Sequence, residues 1–213
     1  MSKHSLTRIF DALLSAYGQQ HWWPGETPFE VMVGAVLTQN TVWSNVERAI
    51  CNLKEAGLLD CQKMAQADPP LLAQLIRPSG YFNIKAKRLQ HLCSALIAAE
   101  ALDSMPDEVL RKWLLDINGI GPETADDILL YAFERPFFVI DAYTRRLFFR
   151  FGLVSGDESY EMLRSEFEQT LGPDVGLYNE YHALIVRHAK EACRTKPLCE
   201  ICCLRGSCGW KDW

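Results

Sequence analysis

Trp113-Leu114-Leu115-Asp116-Ile117-Asn118-Gly119-Ile120-Gly121-Pro122-Glu123-Thr124-Ala125 is the stretch that decides how this chain is built. Trp113–Ile117 closes one segment of helical apolar period. Pro122 opens the next, at the helix position where a missing N–H costs least. Between them, two glycines flank a single apolar residue, so the backbone can turn tightly with its amides facing outward. Beside a helix N-terminus such a turn makes an anion site of phosphate size. An ordinary helix–loop–helix corner uses the same glycines, and the local sequence leaves both readings open.

Outward from this hairpin, apolar residues recur with helical period over roughly 5–18, 29–37, 42–56, 70–76, 83–100, 106–116, 122–133, 141–152, 158–171 and 176–193. The breaks carry turn chemistry, as in Trp23-Pro24-Gly25, Arg77-Pro78-Ser79-Gly80 and Glu134-Arg135-Pro136. Strand alternation is nearly absent, and no repeat or low-complexity tract interrupts the pattern. The expected fold class is all-α. A chain of 213 residues can bury a real core as one large domain or two modest ones.

No apolar run reaches the span of about 18 residues that a membrane helix needs, so no membrane partner is expected. The opening MSKHSLTRIFDALLSAYGQQ is too interrupted for a signal-peptide core and reads as an amphipathic helix from about Ser5. The cytoplasm is the expected location. A net charge of −5 argues mildly against a nucleic-acid partner. Its distribution qualifies that. Acidic residues gather in Asp157–Glu168, whereas Arg145, Arg146, Arg150, Arg187, Lys190, Arg194, Lys196, Arg205 and Lys211 leave room for a local basic face.

Eight cysteines without an export signal point to reduced thiols or metal, not disulfides. Cys51, Cys61 and Cys93 sit in apolar helical context and are expected to be buried small hydrophobes. The other five crowd into Cys193-x5-Cys199-x2-Cys202-x5-Cys208, with Cys203 as a spare. Thiolates this close repel unless a cationic centre neutralises them. Tetrahedral zinc and an iron–sulfur cluster both suit such a set. The spacing favours the cluster, because zinc ribbons use two separated C-x2-C knuckles and this chain has one.

The combination resembles a known family. The hairpin with Pro122-Glu123-Thr124-Ala125, then Val139-Ile140-Asp141, then the four terminal cysteines, is similar to the helix–hairpin–helix DNA glycosylases of the endonuclease III superfamily. Phe29–Thr41 resembles that superfamily's early helix and its glutamine-containing turn. Gly80-Tyr81-Phe82-Asn83-Ile84-Lys85-Ala86 resembles the segment that wedges into the duplex. The resemblance implies two helical lobes. One is continuous over residues 22–133, and the other joins residues 1–21 to 134–213. It also implies a [4Fe-4S] cluster on Cys193, Cys199, Cys202 and Cys208, and a monomer acting on double-stranded DNA that contains damaged bases. The target base would be flipped out, because chemistry at a stacked base is sterically blocked.

Carried over position by position, the resemblance makes Asp141 the catalytic aspartate, stabilising an oxocarbenium ion and orienting or deprotonating water. Read alone, Asp141 caps the helix that begins at Ala142. Tyr81 would be the wedge and Gln39 the filler of the gap left by the flipped base. Gly119, Gly121 and Thr124, with Arg194 and Lys196, would hold the DNA backbone. Lyase members carry a lysine where this chain has Glu123, and a carboxylate cannot form an imine. Lys85 and Lys112 are the nearest alternatives. Trp22, Trp23 and Pro24, a base pocket or a packing plug, together with Gly34–Thr41 and Arg77–Tyr81 resemble the 3-methyladenine branch of that superfamily. Stacking a cationic base on an indole gains about 0.5–2 kcal/mol. The competing expectations are an endonuclease III-like lyase for oxidised pyrimidines and a non-catalytic cluster protein that binds DNA.

Overall fold

The computed structural model describes residues 1–22 and 25–210. In these the chain forms α1 (Lys3–Tyr17), α2 (Pro28–Thr38), α3 (Trp43–Glu55), α4 (Cys61–Gln66), α5 (Pro69–Leu75), α6 (Phe82–Ala98), α7 (Asp107–Leu115), α8 (Pro122–Tyr131), α9 (Ala142–Arg150), α10 (Tyr160–Leu171) and α11 (Val175–Glu191). Short 3-10 turns occur at Arg77–Ser79, Leu102–Ser104 and Cys199–Ile201. No strand occurs among the described residues, and the fold is all-α. No described helix is long and apolar enough to cross a membrane.

Helix starts follow capping chemistry. Ser2, Thr27, Asp60, Asp68, Asp141, Ser159 and Asp174 each accept a first-turn backbone N–H. Pro28, Pro69 and Pro122 sit in the first turn. α4 is the helix that apolar periodicity did not predict. Its six residues bury only Met64, so it is capped by Asp60 but too short to show a period.

The chain divides into two compact units, Met1–Trp22 with Pro136–Trp213, and Trp23–Arg135. In the first, α11 packs against α9 and α1. Its core is aromatic. Phe138 stacks on Phe167 at 4.6 Å between ring centres, Phe148 meets Phe167 edge-on at 4.8 Å, and the buried Tyr181 hydroxyl donates to Leu6 O at 2.9 Å. In the second, α2 packs against α3, α6 and α8. Seven of its residues are buried, as expected of a helix enclosed on most sides. There Arg111 of α7 forks onto Asp126 of α8 (Nε–Oδ1 2.6 Å, Nη2–Oδ2 3.2 Å), and both side chains are buried. This ion pair ties together the two helices that flank the hairpin.

One expectation about the cysteines is corrected. Cys93 is buried and Cys61 half-buried, but Cys51 is exposed. It falls on the solvent side of α3, whose buried stripe is Val46, Ala49, Ile50 and Leu53.

Candidate active site

Phe137–Ile140 is a buried run with no regular secondary structure. Side chains of α10 and the residue that starts it supply partners that a sheet would otherwise provide. Phe138 N–H donates to Glu168 Oε1 at 3.0 Å, and Ile140 N–H reaches the Tyr160 hydroxyl at 3.4 Å. Arg164 Nη1 in turn grips both Glu168 oxygens, at 3.1 and 2.8 Å. The run delivers Asp141 to the start of α9, where Oδ1 accepts Thr144 N–H at 2.7 Å.

The second carboxylate oxygen of Asp141 faces α11. Oδ2 lies 3.6 Å from His182 Nε2, and the Asp141 side chain keeps 14% of its surface exposed. Burial works to raise this carboxyl, but the His182 imidazole and the Thr144 N–H outweigh it and hold it below the ordinary carboxylate range. The group is therefore an anion at neutral pH. The Trp22 ring packs 6.0 Å from the His182 ring at 46°, which brings an indole beside the same imidazole. Trp23 and Pro24 lie outside the described residues.

At the hairpin, Gly119 has φ +98°, and a Cβ there would lie 2.3 Å from Arg88 Cγ. Gly121 starts α8 without a side-chain cap, and the space its Cβ would enter is open. A backbone exposed in this way suits close approach of an anion. Gln39 does not project freely. Its Nε2 donates to Thr124 Oγ1 at 2.9 Å and to Gly119 O at 3.2 Å, while Arg88 Nη1 donates to its Oε1. Thr124 is buried, so its hydroxyl serves the hairpin's interior. Tyr81 stands at the start of α6 with φ +46° and 68% of its surface exposed. That is the opposite of a core-edge tyrosine.

Past α11 the chain winds into the cysteine loop. Cys193, Cys199, Cys202 and Cys208 line one cavity together with Arg150 and His188. Arg150 is buried and gathers the loop. Its Nη1 donates to Arg194 O (2.7 Å) and Cys193 Sγ (3.1 Å), and its Nη2 to Thr195 O (2.9 Å). Arg146 Nε holds Cys193 O at 2.9 Å. Burial pushes the Cys202 thiol up to about 11, and the neighbouring Cys203, Cys193 and Cys208 thiols add to this against the lowering effect of Leu204 N–H. Burial also brings His188 down to about 4, leaving it neutral beside Cys202 Sγ at 3.6 Å.

The donor set has the right chemistry for a metal centre. Among the described residues, however, no three His, Cys, Asp or Glu side chains converge on a point where one ion would sit. Four thiolates around one zinc would lie about 3.8 Å apart, from Zn–S bonds of about 2.3 Å. The four cysteines instead share the lining of one cavity with Arg150 and His188.

The basic face is narrower than its residue count suggests. Arg145 Nη1 donates to Glu158 O (2.9 Å) and Arg187 Nη1 to Tyr17 O (3.0 Å), so these two join Arg146 and Arg150 in internal bonds. Arg194, Lys196 and Arg205 are exposed around the cysteine loop.

Comparison with known proteins fixes the family. Residues 33–173 match the family model for HhH-GPD superfamily base excision DNA repair proteins. The chain belongs to that superfamily. A Methanocaldococcus jannaschii chain provisionally named a DNA repair glycosylase is 48% identical over 207 residues, covering 94% of each chain. The H. pylori 3-methyladenine DNA glycosylase, solved with 1,N6-ethenoadenine, is 32% identical with a TM-score of 0.77, over 90% of this chain and 98% of that one. An endonuclease III–DNA complex shares the fold at 22% identity, with a TM-score of 0.83 over 98% of this chain and 95% of that one.

For an HhH-GPD DNA N-glycosylase, the placement of amines matters as much as that of carboxylates. Lys85 is the amine that invites attention, because burial and the nearby Arg88 guanidinium bring it down to about 8. A lysine with a lowered pKa is a candidate imine-forming nucleophile. Its surroundings argue otherwise. The residue is 1% exposed, and Nζ donates to Leu37 O and Ser79 O, each at 2.8 Å. Lys85 ties the end of α2, just before Gln39, to the turn just before Tyr81. Lys112 is exposed on α7, and Glu123 is exposed on the first turn of α8.

His182, Arg88 and Glu168 were not foreseen from sequence. Each sits in an unexceptional helical context, and only the folded chain shows what it touches.

Proposed function

We propose that this glycosylase is monofunctional and releases alkylated purines of the 3-methyladenine type from double-stranded DNA, with Asp141 as its catalytic residue. One observation carries the monofunctional reading. The hairpin position that bears the lyase lysine in the resemblance drawn above holds Glu123, and the buried Lys85 amine is committed to two carbonyls. The likeness to the H. pylori 3-methyladenine enzyme supports the substrate class. So does an indole, Trp22, packed on the imidazole that faces Asp141.

In this mechanism the C1′–N bond breaks with its electron pair leaving on the base. A cationic alkylated purine departs neutral and needs no added proton. The Asp141 carboxylate offsets the positive charge that develops on the sugar. A water oxygen then bonds to C1′ and gives its proton to Asp141, which passes it to solvent. Tyr81, exposed at a tight turn, would wedge into the duplex, and the Gly119–Gly121 backbone would take a phosphate. Gln39 would need to leave its bonds to Thr124 and Gly119 to fill the gap opposite the flipped base.

Cys193, Cys199, Cys202 and Cys208 would hold a [4Fe-4S] cluster. When bound, such a cluster would serve here as a cross-link for a loop too short to form its own core. Arg194 and Lys196, exposed on that loop, are the side chains we assign to phosphate contact.

Two results are expected. A duplex containing one 3-methyladenine should lose the free base without strand cleavage, and borohydride should trap no covalent adduct. A trapped adduct would return the chain to the bifunctional class. Separately, Cys202→Ala should lower iron and sulfide content, melting temperature and DNA affinity together. A Cys202→Ala protein with wild-type melting and DNA binding would contradict the staple role.

A further inference from the structure

We propose that His182 is a positioning residue for base excision, fixing the Asp141 carboxylate through Oδ2 while its ring packs against the Trp22 indole. The inference rests on Asp141 being the catalytic carboxylate, and the experiment below separates the two.

The molecule supplies its own controls. Asp60, Asp68 and Asp174 also cap helices, and all three are exposed and use one oxygen on one backbone N–H. Such a cap contributes about 1 kcal/mol and needs nothing further. Asp141 does the same through Oδ1 but is drawn into the protein, where a carboxylate is costlier to hold. Its Oδ2 is set against a histidine that is itself 4% exposed. The contact therefore exceeds what capping requires.

The two oxygens are constrained from different helices. Oδ1 is held by the first turn of α9, and Oδ2 faces α11 at 3.6 Å. That distance is long for a direct hydrogen bond and short for a charge–dipole or ion-pair contact. Rotation about the Asp141 side-chain bonds would break one contact or the other. Each oxygen still keeps a lone pair for water or the sugar. A carboxylate fixed before the reaction stabilises developing charge without having to reorient. The imidazole also has a second neighbour, the Trp22 ring at 6.0 Å. One buried ring thus supports both the carboxylate and the proposed base wall.

The test compares His182→Leu, His182→Gln, His182→Asn and Asp141→Asn in the full-length protein. Three quantities are read: single-turnover release of 3-methyladenine, affinity for a duplex with an abasic-site analogue, and melting temperature. His182→Leu should slow release about 10- to 100-fold while leaving duplex affinity within about twofold, since misplacement of a catalytic group by about 1 Å costs on that order. His182→Gln places its amide near the Nε2 position and should recover most of the rate. His182→Asn, whose amide falls near Nδ1, should not.

If His182→Leu releases base at the wild-type rate while Asp141→Asn is inactive, His182 has no positioning role and the reading of Asp141 stands. Should His182→Leu fail to fold, the Gln and Asn variants decide, and equal rates in the two would overturn the proposal. Full activity in Asp141→Asn would remove the catalytic reading and this inference with it.

Discussion

Asp141→Asn should lower the rate of base release by about 10³-fold while the protein folds and binds duplex DNA as wild type does. The reason lies in its two roles. As a helix cap, Asp141 uses Oδ1 to accept Thr144 N–H, and asparagine caps as well as aspartate. As a carboxylate, it is held below its ordinary pKa and stays charged at neutral pH. Asparagine keeps the first property and loses the second. Asp141→Ala would confound the two, because losing the cap costs about 1 kcal/mol in addition to the charge. The comparison needs single-turnover base release beside a duplex-binding titration. Wild-type release by Asp141→Asn would reduce the residue to a cap.

The second large effect is on stability. Arg111→Ala should destabilise the protein by about 3–5 kcal/mol, because it removes the guanidinium that forks onto a buried carboxylate. Asp126 has no surface exposure, and Arg111 forks onto it with two bonds. Replacing both together, as Arg111→Met with Asp126→Leu, should cost less than the single change, since the guanidinium and the carboxylate are then removed together. Denaturant melts of the single and double variants measure this. A single variant as stable as wild type would mean the pair contributes nothing. Because α7 and α8 flank the hairpin, partial loss of this pair should also weaken duplex binding before global unfolding.

Much of this was legible before folding, for identifiable reasons. The all-α class came from apolar periodicity over ten segments, and the hairpin from glycines that a tight turn requires. Gly119 adopts φ +98° with Arg88 packed where its side chain would be. The one missed helix, Cys61–Gln66, is shorter than two turns, so period had nothing to work on. Cys51 was misjudged because an apolar neighbourhood along the chain says nothing about which side of α3 a residue occupies.

The candidate site was legible only in part. A motif marks Asp141 as a candidate, whereas His182 lies 41 residues later with no motif of its own. Glu168 and Tyr160 hold the run that delivers Asp141, yet in sequence they are ordinary residues of an acidic stretch. The cations of the chain's last third left room for a basic face. Arg150, one of them, is buried and spent on the loop's carbonyls and Cys193 Sγ. Charge counts along a chain cannot tell a solvated cation from one that folds a loop.

Alkylpurine release without strand cleavage is tested most directly by mass analysis of the bases released from randomly alkylated duplex and, in parallel, from oxidised duplex. A monofunctional alkylpurine glycosylase releases 3-methyladenine and related alkylated purines from the first, leaving uncut abasic strands, and nothing from the second. Oxidised pyrimidines among the products, with cleaved strands, would contradict this.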